Sequence, residues 1–167
     1  HHRSPLIVIV RIVFVCTGNI CRSPTAEGVL RQLATTRGLA EHIEAASAGL
    51  DGWHAGAPPD PRSQAHALRR GYDLGAQRAR HFTPGDFEAA DWVIAMDAGH
   101  HHRLRGMCPA QHSHKLKRAA EFSEHVPAGG VPDPYYGEAA GFELVLDMVE
   151  ALCEGVLQAA TTSPSPR

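Results

Sequence analysis

Residues 12–24 read Ile12-Val13-Phe14-Val15-Cys16-Thr17-Gly18-Asn19-Ile20-Cys21-Arg22-Ser23-Pro24, and the way this run divides decides the fold. Its apolar, mostly β-branched opening predicts a buried central strand over residues 12–15, because parallel strands covered on both faces read as unbroken apolar runs. Arg11 predicts the strand's edge. Beyond Pro24, Ala26, Leu30, Leu33 and Ala34 recur at helical spacing, and Gly38 supplies the stop. Strand, tight loop, helix is the expected order. Such a loop points successive backbone N–H groups inward and the helix adds its positive end, so the hollow attracts an oxyanion. Gly18 and Asn19 are residue types that accept positive φ. Ser23 suits the helix cap and Pro24 the first helical position.

Two side chains set this loop apart from other phosphate cradles. Cys16 ends the strand beneath the hollow, and Arg22 closes the loop with a planar fork that can grip two phosphate oxygens. Cysteines among N–H donors, a helix N-terminus and a guanidinium have pKa values of roughly 3.5–7.5, against about 8.5 when free. Cys16 is therefore expected to act as a thiolate nucleophile in line behind a bound phosphorus.

The rest of the chain alternates strand and helix. Strands are predicted at residues 43–48 and 92–96, a strand-like stub at 80–82 and a weaker strand at 115–119. Helices are predicted from Asp60-Pro61 to about Arg70, around 84–89, over 100–106 and over 138–158. The last carries an apolar stripe through Phe142, Val145, Leu146, Val149, Leu152 and Val156. This alternation implies an α/β three-layer sandwich: a parallel sheet of about four strands with helices on both faces. The site of such a sheet lies at the carboxyl ends of its strands, where the Cys16 loop falls. Residues 1–10, opening His1-His2, read as a tag remnant or extra tail, 11–160 as one domain, and 161–167 as a frayed tail.

Composition bounds the function. A chain of 167 residues holds one domain with a substantial core. A net charge of −2 argues against a nucleic-acid binder. No apolar run approaches the roughly 20 residues of a membrane span. The four cysteines lack framework spacing and fit a reducing compartment, so the reading is cytoplasmic. Export by a non-classical route would leave no mark here. His100, His101, His102, His112 and His114 show no ligand spacing and read as solvated surface, so no metal is expected.

The Cys-x-x-x-x-x-Arg-Ser loop, here C-T-G-N-I-C-R-S-P, resembles the signature of the low-molecular-weight protein tyrosine phosphatases. A second match lies at Asp133-Pro134-Tyr135-Tyr136-Gly137. Further similarity runs through Ser47-Ala48-Gly49, Trp53-His54, Asp60-Pro61-Arg62, Arg78-Ala79-Arg80 and residues 92–97. The resemblance implies hydrolysis of phosphotyrosine and small aryl phosphates through a phosphocysteine on Cys16, with no cofactor. Arg22 and the loop Thr17, Gly18, Asn19, Ile20, Cys21 and Ser23 would bind the phosphate. Asp133 would protonate a leaving group whose conjugate acid has a pKa of about 10 and then activate water. Flanking Pro132 and Pro134 limit its backbone freedom. Trp53 and Tyr135 would flank the phenyl ring, with Tyr136 as a further wall, a packing residue or a phosphorylation site.

Besides capping the helix, Ser23 can donate to the Cys16 sulfur and make it a better leaving group in the second step. Asn19 and Ser47 match positions that brace the loop, whereas Gln77 stands where the family usually has histidine. The resemblance also implies a reversible Cys16–Cys21 disulfide. Expected partners are phosphotyrosine proteins, with phosphate or other oxyanions as inhibitors, no nucleic acid, no membrane, and a monomer or weak self-association. Arsenate reduction needs a mid-chain thiol relay that is lacking between Cys21 and Cys108. A protein arginine phosphatase typically carries Thr where Ile20 stands. A catalytically silent phosphate-binding module conflicts with Cys16, Arg22 and Asp133 all being present.

Overall fold

A computed structural model describes residues 8–135 and 137–162. Four parallel strands form one sheet in the order β2-β1-β3-β4: β1 (Val10–Cys16), β2 (Ile43–Gly49), β3 (Trp92–Ala95) and β4 (Leu116–Arg118). Helices α1 (Arg22–Thr36), α2 (Pro61–Arg69), α3 (Gly85–Ala89), α4 (Ala98–Met107) and α5 (Ala139–Thr162) complete it, with short 3₁₀ turns at Ala110–Lys115 and Ala119–Glu121. The sheet expected from the alternating pattern is present.

Strand β1 explains why its sequence is apolar without alternation. Ile12 and Phe14 enter a core shared with α1 and α5, through Val29, Leu30, Leu146 and Val149. Val13 and Val15 face the opposite core, where Phe82, Phe87 and Leu104 cover the sheet. Successive side chains of a strand alternate between faces, so both sets must be apolar. Arg11 lies inside β1 rather than at its edge. It pairs with Glu44 on β2, and its backbone N–H donates to Asp91 at 2.8 Å.

The ends of the chain extend slightly past the expected limits. Val10 already belongs to β1, donating to the His42 carbonyl at 2.8 Å. Thr161 and Thr162 complete α5, their hydroxyls donating to the Leu157 and Gln158 carbonyls. Residues 1–7 and 163–167 lie outside the described residues, as does Tyr136. The stub near residue 81 is a single bridge from His81 to Gly49, with the Phe82 N–H donating to Gly49 at 2.7 Å. Among the described residues no helix is long and apolar enough to cross a membrane.

The N-terminus of α1 departs from expectation. Cys21 occupies the cap with no side-chain cap bond, so Ser23 and Pro24 are the second and third helical residues. Pro24 is tolerated there because the first helical N–H groups have no intrahelical partner to lose. The Ser23 hydroxyl is thereby released for other contacts.

Candidate active site

A cavity of about 210 Å³ opens at the carboxyl end of β1. Its floor is the loop: Cys16, Thr17, Gly18, Ile20, Cys21 and Arg22. Asp51, Trp53, His54, Asp133 and Tyr135 complete its lining. The structure thus gathers residues separated by more than a hundred positions. Trp53 is 87% exposed, so its indole is available to an incoming apolar group.

Hydrogen bonds hold the loop in shape. Asn19 sits at φ 58°, the only non-glycine at positive φ among the described residues. Gly18 does not share that conformation. Its lack of a side chain matters instead for space, since a Cβ there would meet the His54 ring at 2.9 Å. Gly49, at the end of β2, leaves room from the other side: a Cβ would fall 2.9 Å from the Gly18 carbonyl carbon and 3.0 Å from the Asn19 nitrogen. Asn19 Nδ2 donates to Ser47 Oγ at 2.8 Å and to Ser23 Oγ at 2.9 Å, while its Oδ1 accepts the Arg80 N–H at 3.0 Å. Ser47 in turn donates to Glu27 Oε1 at 2.7 Å.

This chain presents the Ser23 hydroxyl to Cys16, and a thiolate there, having no proton of its own, can only accept from it. The Ser23 oxygen already accepts from Asn19, leaving one O–H to donate. Cys16 Sγ lies 2.9 Å away, and the alternative acceptor, the Ala48 carbonyl, 3.5 Å away. A serine aimed at sulfur stabilises negative charge there. Gln77 takes no part in this chain; its Nε2 donates to the Pro24 carbonyl at 2.9 Å, on the α1 side.

Arg22 is buried and doubly anchored. Its Nη1 donates to Asp97 Oδ2 at 2.7 Å and to the Val131 carbonyl at 3.0 Å. Its Nη2 approaches His100 Nε2 at 3.4 Å and Asp133 Oδ2 at 3.7 Å. Burial raises the Asp97 carboxyl, but the His100 N–H, the His100 ring and Arg22 outweigh it, and the net shift is downward. Asp97 therefore stays charged opposite Arg22. Asp133 is the least enclosed of the groups around Arg22, its side chain 45% exposed, with Oδ1 accepting the Tyr135 N–H at 3.0 Å.

Asp97 and His100 escaped the sequence reading. Asp97 follows β3 directly and caps α4, its Oδ1 accepting the His100 N–H at 2.8 Å. An acidic residue just past a parallel strand is a signal that position alone carries. The cap turns His100 inward, so this histidine is not solvated surface as expected. Its Nε2 lies 2.9 Å from Thr17 Oγ1, and burial followed by the Arg22 charge depresses its pKa to about 4. The ring is neutral near pH 7. Because Arg22 can only donate, Nε2 is the unprotonated nitrogen, and it accepts from Thr17 and Arg22. His101, by contrast, is half-buried and His102 exposed.

Cys21 is buried, and burial with the Asp60 charge pushes its thiol up to about 12 despite a hydrogen bond with Ser63. It remains protonated beside Cys16, and both are free. Among the described residues no group of three or more His, Cys, Asp or Glu side chains is placed to hold a metal ion.

Comparison with known proteins meets this geometry. A family model described as low molecular weight phosphotyrosine protein phosphatase matches residues 11–163. A low molecular weight protein-tyrosine-phosphatase of Streptomyces coelicolor is 46% identical over 152 residues, spanning 89% of this chain and 92% of its own length. The crystal structure of YfkJ from Bacillus subtilis superposes with a TM-score of 0.87 at 37% identity, covering 94% of this chain and 98% of that one. A protein tyrosine phosphatase from Entamoeba histolytica, solved with Hepes in its active site, gives 0.86 at 35% identity, covering 90% and 96%. With a match running from β1 to the end of α5, the chain belongs to the low molecular weight phosphotyrosine protein phosphatase family.

Proposed function

We propose that this protein hydrolyses phosphotyrosine, and small aryl phosphates, through a phosphocysteine on Cys16. The observation that carries the reading is that Cys16, Arg22 and Asp133 line one cavity, with Arg22 Nη2 3.7 Å from Asp133 Oδ2. In the first step the Cys16 sulfur attacks phosphorus as the P–O bond to the phenol breaks. Arg22 and the loop N–H groups of residues 17–22 hold the equatorial oxygens, and Asp133 gives its proton to the departing phenolate. In the second step Asp133 takes a proton from water, which displaces the Cys16 sulfur and releases phosphate. The Ser23 hydroxyl eases that departure by donating to sulfur. Trp53 and Tyr135 flank the phenyl ring.

Particular residues weigh against the rival chemistries. Arsenate reduction needs further thiols at the site. Cys153 is instead fully buried, in hydrogen-bond reach of the Ala26 carbonyl, and Cys108 ends α4 away from the cavity lining. Ile20 lines the cavity with an apolar side chain, which favours a phenyl ester over a phosphorylated guanidinium. Inorganic phosphate and related oxyanions act as competitive inhibitors on the same reading. The Hepes in the Entamoeba relative, a sulfonate, is in keeping with this. The working setting is cytoplasmic, with phosphotyrosine proteins as substrates.

The experiment is steady-state hydrolysis of two aryl phosphates, one with a poor and one with a good leaving group. Cys16→Ser and Arg22→Ala should abolish turnover on both. Asp133→Ala should depress kcat/KM by about 100-fold or more on the poor leaving group and far less on the good one. Turnover surviving in Cys16→Ser would end the proposal.

A further inference from the structure

Asp133 stands on a segment with no regular secondary structure between the second 3₁₀ turn and α5. Its near side is tied at Val131, whose N–H donates to Met96 at 2.8 Å and whose carbonyl accepts from Arg22 at 3.0 Å. Its far side is tied by Arg62, at the start of α2. Arg62 Nη2 donates to the Tyr135 carbonyl at 2.7 Å. The guanidinium lies 5.6 Å from the Tyr135 ring centre and 4.8 Å from that of Phe142.

Arg62 is itself oriented from the cradle side. Its Nε and Nη2 donate to Asp60 Oδ1 and Oδ2 at 3.2 and 3.0 Å, a two-point grip that sets the plane of the fork. Asp60 is buried, and its backbone N–H donates to the Ile20 carbonyl, inside the phosphate loop, at 2.8 Å. An unbroken series of contacts therefore runs from Ile20 through Asp60, Arg62 and Tyr135 to Asp133. Arg62 is half-exposed, so its pairing with the buried Asp60 is better explained by what its guanidinium reaches than by stability.

We propose that Arg62 is a positioning residue for the acid segment, holding Asp133 at working distance from the phosphate through the Tyr135 carbonyl and ring. The inference rests on Asp133 being the proton donor. Removing the fork leaves the cradle intact and lets the carboxyl wander, so the defect falls on the step that needs a proton.

The test compares wild type, Arg62→Ala, Arg62→Lys and Asp133→Ala on phenyl phosphate and on dinitrophenyl phosphate, whose leaving group needs little protonation. kcat/KM is the readout, since it reports events up to cleavage of the P–O bond. The Ki of inorganic phosphate is measured alongside as a gauge of the cradle. Arg62→Ala should lose about tenfold or more on phenyl phosphate, and less than about threefold on dinitrophenyl phosphate and in phosphate Ki. Arg62→Lys keeps the charge without the fork and should recover only part of the loss. Equal losses on both esters, or a weakened phosphate Ki in Arg62→Ala while Asp133→Ala remains selective, would overturn the role of Arg62 alone. Asp133→Ala losing equally on both esters would instead overturn the proton-donor reading, and the positioning role with it.

Discussion

Replacing His100 by Gln removes one titrating ring from beneath the phosphate site while keeping a side chain long enough to reach Thr17 and Arg22. The wild-type ring is held neutral down to about pH 4, first by burial and then by Arg22. In the unfolded chain a histidine titrates near 6.5. Between those values the unfolded state binds a proton that the native state refuses. The stability of the neutral native ring is fully present above about pH 6.5 and is lost as pH falls toward 4. At about 1.36 kcal/mol per pH unit, that window amounts to roughly 3 kcal/mol, most of it expressed by pH 4.5. Urea unfolding at pH 7.5 and 4.5 measures it. On acidification wild type should lose roughly 2–3 kcal/mol more than His100→Gln, an extra drop in midpoint of about 1 M. Parallel pH profiles for the two proteins would show that His100 ionises as freely folded as unfolded, and would refute the assignment of a buried neutral acceptor.

Three further outcomes follow from the loop. Gly49→Ala drives a Cβ against the backbone of residues 17–19, so kcat/KM for an aryl phosphate should fall by at least about tenfold, with a smaller change in thermal stability. Asn19→Ala puts alanine at positive φ and leaves the Arg80 N–H without its acceptor; urea unfolding should show a loss of about 2–4 kcal/mol. Under peroxide, oxidised Cys16 should condense with the Cys21 thiol, releasing water and giving a disulfide that dithiothreitol reverses. Mass spectrometry of wild type should show the Cys16–Cys21 link, and Cys21→Ser should lose activity irreversibly instead.

Much of the fold was legible because β1 lies between two cores. A strand that must be apolar on both faces announces itself, and its loop and helix follow. Arg11 was misplaced because a charged residue can sit within a strand where its side chain emerges beside Glu44, a partner that only the register supplies. Ser23 reads both as a helix cap and as a partner of the sulfur; Cys21 takes the cap, and Ser23 Oγ lies 2.9 Å from Cys16 Sγ. Gly18 was read for φ and serves for space, a distinction set by where His54 lies. Asp97 and His100 were missed for a common reason. Each acts through Arg22 from a distance of more than seventy residues, and three adjacent histidines resemble a solvated run until a cap turns one of them inward.

The order of the parts along β1, β3 and the acid segment also has a consequence in time. Cys16 and Asp133 are 117 positions apart (133 − 16), so a ribosome adding about 5–20 residues per second leaves roughly 6–25 s between them. Asp97, His100 and the Val131 carbonyl, which orient Arg22, all emerge within that interval. A nascent chain therefore carries its sulfur long before it has the groups that orient the guanidinium, and the core shared by α1 and α5 closes only once α5 has been made.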